Sequence, residues 1–153
     1  MNAASMRALL AAALALIAGA CGARTADESD PMPTPTALQV CPDTPNCVSS
    51  LPQEAPERRV APLAFDGGAQ SARERLRKVI NAMARTRIVV DEGDYLRAEF
   101  RSRLFGFVDD VEFLLDEDAG LIHVRSASRV GYWDLGVNRR RVAAIRRAFA
   151  GNR

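Results

Sequence analysis

Phe107-Val-Asp-Asp-Val-Glu-Phe-Leu-Leu-Asp116, Glu117-Asp-Ala-Gly120 and Leu121-Ile-His-Val-Arg-Ser-Ala127 read as two strands joined by a short turn. Apolar and polar residues alternate along both arms, the period of a strand that buries one face. Placing Asp116 opposite Leu121 sets Leu115 against Ile122, Phe113 against Val124 and Val111 against Ser126, so a single apolar face emerges. Towards the amino end, Tyr95 to Leu104 continues the pattern. Pairing Leu104 with Phe107 places Phe100 opposite Val111, Ala98 opposite Phe113 and Leu96 opposite Leu115. Ile88 to Asp91 adds a fourth strand, with Glu92-Gly93-Asp94 and Phe105-Gly106 as the intervening turns. The other face gathers Arg97, Glu99, Arg101, Asp110, Glu112, His123 and Arg125, with Glu112 across from Arg125.

Two helices flank this meander. Ser71-Ala-Arg-Glu74 has the form of a capping box, and Ala72, Leu76, Val79, Ile80 and Met83 follow at helical spacing, which predicts a helix over about 72–85. Val142, Ile145 and Phe149 share one side of a second helix over about 138–149, with Asn138 as its N-cap. The expected fold is α+β, a two-layer domain in which an antiparallel four-stranded meander carries an N-terminal and a C-terminal helix on one face.

A chain of 153 residues, 48% of them hydrophobic, supplies apolar material for one domain and too little for two of ordinary size. The net charge of +2 excludes the concentrated basicity that grips nucleic acid through its phosphates. His123 is the only histidine, so two-histidine metal motifs and any triad not centred on it are excluded.

Arg7 precedes the uncharged run Ala8 to Ala20, which has the layout of a secretory signal and is too short to span a bilayer as a stable helix. The run closes as Ile17-Ala18-Gly19-Ala20-Cys21, which resembles a bacterial lipobox, with Ala18 where Leu is commoner. The resemblance implies cleavage after residue 20 and acylation of Cys21, and acyl chains on one cysteine give lasting membrane attachment. An ordinary secretory signal followed by a coincidental cysteine is the alternative. Gly22, where Asp commonly marks inner-membrane retention, implies by the same resemblance an outer-membrane lipoprotein facing the periplasm. All eight prolines fall between Pro31 and Pro62. Residues 1–20 are therefore read as the signal peptide, 21–38 as lipidated cysteine and extended Pro-rich tether, 39–62 as a stapled segment and 63–150 as the folded domain. Setting Cys21 aside leaves Cys41 and Cys47, an even pair in an oxidising compartment and spanning a turn-rich stretch, so a disulfide is expected. A redox-active dithiol is the alternative, weakened by the five-residue spacing.

Three long stretches carry a further resemblance. Cys41-Pro-Asp-Thr-Pro-Asn-Cys47-Val-Ser-Ser50, Ser102-Arg-Leu-Phe-Gly-Phe-Val-Asp-Asp-Val-Glu-Phe113 and Val124-Arg-Ser-Ala-Ser-Arg-Val-Gly-Tyr-Trp-Asp-Leu-Gly-Val-Asn-Arg139 are similar to the family called domain of unknown function 1499, over about residues 40–149. Trp133 departs from it, standing where a small or polar residue is commoner. The family has no established activity, so the resemblance implies an extent and no catalytic residue.

Three chemistries compete for the remaining residues. The stretch Arg125, Ser126, Ser128, Arg129, Tyr132, Trp133, Asp134, Asn138 and Arg139 brings hydroxyls, guanidiniums and a helix start together, which suits a small anion, while Tyr132 and Trp133 suit a partner protein. Its plain structural reading is that Asp134 and Asn138 cap while Arg125 and Arg129 pair with Asp110 and Glu112. The same acids with His123 could instead hold a hard cation for a metal-assisted hydrolase or isomerase. Cys41 and Cys47 would carry the thiol redox alternative. The expectation is a noncatalytic envelope lipoprotein that needs no cofactor and binds an envelope protein or a small anionic ligand through residues 125–139.

Overall fold

The last hairpin forms in the register that its apolar residues require. The computed structural model describes residues 35–151. Its elements run β1 (Cys47–Ser49), β2 (Leu63–Ala64), α1 (Ala69–Asn81), β3 (Thr86–Glu92), β4 (Tyr95–Arg101), β5 (Val108–Asp116), β6 (Leu121–Ser128) and α2 (Val137–Gly151). All the strands join one antiparallel sheet in the order β1-β6-β5-β4-β3, and β2 pairs β6 beyond β1. The fold is α+β, as the alternation predicts. The sheet has six strands among the described residues rather than four, because β1 and β2 add to the free edge of β6.

In β5 and β6, Val111 faces Ser126, Phe113 faces Val124 and Leu115 faces Ile122, as expected. Between β4 and β5 the register differs by two residues: Leu96 faces Phe113, Ala98 faces Val111 and Phe100 faces Asp109. The cause is the loop. β4 stops at Arg101, and the Ser102 amide donates to the Phe107 carbonyl at 2.8 Å while the Ser102 hydroxyl accepts from the Phe107 amide at 3.0 Å, closing a wider turn than Phe105-Gly106 alone. A two-residue slip keeps every side chain on its face, so the core is unaffected.

The helices differ at their ends. α1 begins at Ala69, before the expected capping box, and Glu117 from the β5–β6 turn accepts the Ala69 amide at 3.2 Å. It ends at Asn81, and Arg85 then turns the chain with φ of 58°. At α2 the cap is Asp134, whose two carboxylate oxygens accept the Gly136 and Asn138 amides at 2.9 and 2.7 Å; Asn138 itself is buried rather than capping.

Ala72, Leu76, Val79 and Ile80 of α1 and Val142, Ile145 and Phe149 of α2 bury against Leu96, Ala98, Phe100, Val111, Phe113, Leu115, Ile122 and Val124 in one core. Arg75 of α1 lies over the Phe149 ring at 4.2 Å, tying the helices together. The opposite sheet face, expected to gather residues of alternating charge, also carries a second apolar cluster in which Leu38, Leu51 and Tyr95 pack with Val90 and Leu114. Residues on either side of β1, Leu38 before it and Leu51 after it, thus cover part of that face.

Candidate functional site

The chain from β6 into α2 divides into residues held inside and residues left outside. Arg125 reaches across to Glu112, Nη1 to Oε2 at 2.7 Å, and the Tyr95 hydroxyl donates to the same carboxylate at 2.8 Å. Burial, then this hydrogen bond, pushes the Tyr95 hydroxyl well above the usual phenol range. Arg129 donates to both oxygens of Asp110 at 2.7 and 2.8 Å and to Glu99 at 2.6 Å. The hydrogen bond from Arg129 holds the Glu99 carboxyl below its ordinary value, with Arg87 at 3.2 Å in support. Both guanidiniums are thus committed to acids of the same sheet face.

Asn138 is wholly buried and acts as a junction. Its Oδ1 accepts the Ser126 hydroxyl at 2.6 Å and Arg141 Nη1 at 2.5 Å, and its Nδ2 donates to the Asn46 carbonyl at 2.9 Å and to Ser128 Oγ at 3.1 Å. Arg141 also pairs with buried Asp109 at 2.5 Å and lies over the Phe100 ring at 4.9 Å. Asn46 in turn donates to the Gly131 carbonyl at 2.5 Å. One amide side chain therefore locks α2, the end of β6 and the loop before β1 to one another. Arg139 donates to the Arg59 carbonyl at 2.9 Å and to the Glu57 carbonyl. Of the residues proposed from sequence, Arg125, Ser126, Arg129, Asp134, Asn138 and Arg139 all have intramolecular partners, and Asp134 places a carboxylate where an anion would meet the α2 terminus.

Asp110, Glu112 and His123 do not converge as metal ligands. The two acids hold Arg129 and Arg125, and His123 Nδ1 lies 3.3 Å from Ser50 Oγ. Among the described residues no group of three or more His, Cys, Asp or Glu side chains is placed to hold a metal ion. Cys41 and Cys47 form a disulfide, with Cα atoms 5.7 Å apart and Cys47 fully buried. The Cys41 amide donates to buried Glu54 at 2.9 Å, and Arg58 Nε donates to that carboxylate at 3.2 Å. Burial alone would raise the Glu54 carboxyl, but the Cys41 amide, Arg58 and the Ala55 amide together hold it below its ordinary value. Cys21 lies outside the described residues.

What the segment leaves outside is apolar. Tyr132, Trp133 and Leu135 are 70%, 68% and 67% exposed, with Val130 and Val137 beside them. Leu135 holds φ of 55°, the left-handed region that costs an ordinary L residue roughly 1–2 kcal/mol. Tyr132 and Trp133 form one wall of a cleft of about 300 Å³ whose other wall includes Asp43, Thr44, Pro45 and Arg58. A second exposed set, Leu104, Phe105 and Phe107, escapes sequence reasoning. Its residues fit a strand pattern, and only Gly106 marks the turn that carries them out.

No curated protein matches the chain. A family described as protein of unknown function (DUF1499) matches residues 37–149, which takes in the disulfide loop, all six strands and nearly all of α2. With most of its length so matched, the chain belongs to the DUF1499 family.

Proposed function

We propose that this chain is a lipid-anchored protein of the bacterial envelope, tethered to the outer membrane through Cys21, whose domain is a noncatalytic binding module for a partner protein. The observation that carries the binding role is Leu135. A leucine held in a left-handed backbone and left two-thirds exposed carries a backbone cost with little burial to offset it, and it stands beside the exposed Tyr132 and Trp133. The occupant we favour is an apolar segment of a protein rather than an anion, since the guanidiniums of the region are already paired and the helix terminus already has its carboxylate. On the facing wall Arg58 is likewise committed, to Asp43 at 2.9 Å and to Glu54 at 3.2 Å, so that wall too offers no free cation.

A photo-reactive amino acid in place of Trp133 tests this in cells. A discrete adduct to one envelope protein is expected from position 133 and not from position 147 on exposed α2, and Tyr132→Ala with Leu135→Ala should reduce it several-fold. A smear at both positions, or no adduct, removes the loop as a binding site. The anchor is tested separately by mass spectrometry of the mature chain, where an uncleaved or unacylated Cys21 would overturn it. No helix among the described residues is long and apolar enough to cross a membrane.

A further inference from the structure

The same end of the sheet carries a second surface of different chemistry. Leu104 and Phe105 are 80% and 71% exposed, and the Phe105 and Phe107 rings stack on one another at 5.5 Å instead of on the core. Beside them opens a cleft of about 330 Å³ whose lining includes Arg85, Arg87, Arg101, Glu99, Ser102 and Gly106. Of the three arginines only Arg87 reaches the carboxylate, while Arg85 Nε donates to the Arg101 carbonyl at 3.3 Å. That carboxylate already accepts Arg129 at 2.6 Å and Arg87 at 3.2 Å, while Arg101 and Arg103 form no salt bridge among the described residues. The surplus beside the apolar tip is therefore cationic.

Each half of this arrangement excludes a different occupant. A free anion would use the arginines and leave three large apolar side chains in water without purpose. A second apolar protein surface would use the tip and gain little from unpaired guanidiniums. An anionic bilayer uses both, since aromatic rings settle at headgroup depth and guanidiniums take phosphates in bidentate fashion. Residues 22–34, which precede the described chain, span at most about 45 Å when extended, so an anchor at Cys21 would hold the domain within reach of the leaflet. That last point rests on the lipid-anchor reading; the surface chemistry does not.

We infer that residues 101–107, with Arg85 and Arg87 behind them, dock the domain on an anionic phospholipid surface, the apolar tip entering the acyl boundary and the guanidiniums binding headgroup phosphates.

The test uses the chain from residue 22 on, without acyl groups; among the described residues every buried residue of the core lies between Leu38 and Phe149, and all of these are kept. It is sedimented with vesicles of phosphatidylglycerol and phosphatidylcholine, or of phosphatidylcholine alone. Binding to the anionic vesicles should exceed binding to the neutral ones by about tenfold and weaken with salt. Leu104→Ser with Phe105→Ser, and separately Arg101→Gln with Arg103→Gln, should each lower it about tenfold. All four positions are exposed, so an unchanged near-ultraviolet spectrum is expected and distinguishes lost docking from lost fold. Tyr132→Ala with Trp133→Ala should leave vesicle binding within about twofold, since those residues serve the separate protein-binding surface. Equal binding to both vesicle types overturns the inference, as does full release by inorganic phosphate at a concentration matched to the lipid phosphate. Loss of vesicle binding in the Tyr132 and Trp133 variant overturns it in favour of the other loop. Failure of the cross-link at position 133 leaves this result standing, and the absence of acylation at Cys21 does not affect it.

Discussion

Asn138 shows how one side chain can be read correctly as important and wrongly as to why. An Asn near a helix start fits an N-cap, and Asp134 and Asn138 both stand near the start of α2. The pattern of polar residues cannot say which of them turns inward. Here Asp134 caps, and Asn138 is drawn inside because Ser126, Ser128, Asn46 and Arg141 together satisfy both its donors and both lone pairs. Asn138→Ala should therefore cost about 3 kcal/mol in chemical denaturation, since it strands several buried partners at once. A loss below about 1 kcal/mol would mean that water replaces the amide. Leu135 is the reverse case. Leu135→Asn, which tolerates the left-handed backbone, should raise stability by about 1 kcal/mol while weakening the proposed cross-link. A neutral or destabilising result would show that the leucine packs usefully where it stands. The exposure of Tyr132 and Trp133 follows from glycines on both sides and the lack of a period between β6 and α2.

At the scale of elements, legibility followed length and symmetry. β5 and β6 are long enough to display four and three full cycles of alternation, and Glu112 opposite Arg125 checks the register independently, so that hairpin could be derived residue by residue. The β4–β5 pairing slipped by two because a period of two cannot detect a shift of two; only the Ser102 hydrogen bonds decide it. β1 and β2, of three and two residues, carry no period at all. What could be read in their neighbourhood was the cysteine pair, and it now has a purpose at this scale. Bridging Cys41 to Cys47 holds Asn46 where its carbonyl meets both Asn138 and the Ser128 amide, so the staple orders the start of β1 against β6. On the chain-entropy account, Cys41→Ser with Cys47→Ser should cost about 2 kcal/mol. Hydrogen exchange should quicken first at the Ser128 and Ser50 amides, which join β6 to the β1 region by donating to the Asn46 and Val124 carbonyls, and later at β4 and β5. Uniform quickening across the sheet would mean that the bridge acts on global stability alone.

For the whole molecule, the charged sheet face and the segment folded over it make stability depend on acid in one direction. Arg129 and Arg87 surround Glu99, and the Cys41 amide and Arg58 surround Glu54, so both carboxyls release their protons more readily folded than unfolded. A depressed folded-state value means that the unfolded chain binds more protons as the medium is acidified. The stabilisation is therefore complete above the ordinary carboxylate range, near pH 4–4.5, and is lost as pH falls through the lower folded-state values. Thermal melts should be flat from neutral pH to about 5 and then decline steeply below about 4. Glu54→Gln should lower the melting temperature at neutral pH, since the buried amide cannot accept as strongly from Arg58, and should shrink the decline on acidification by removing one of the two protons taken up. Added salt should weaken the exposed Arg87 contact to Glu99 more than the buried Glu54 cluster, while the closer Arg129 contact, the larger cause of the Glu99 depression, keeps part of the acid dependence at Glu99. An acid decline identical in the wild-type chain and the Glu54→Gln variant would place the linkage elsewhere on the surface and detach the Glu54 cluster, which joins the segments on either side of β1, from the electrostatics that this structure gives it.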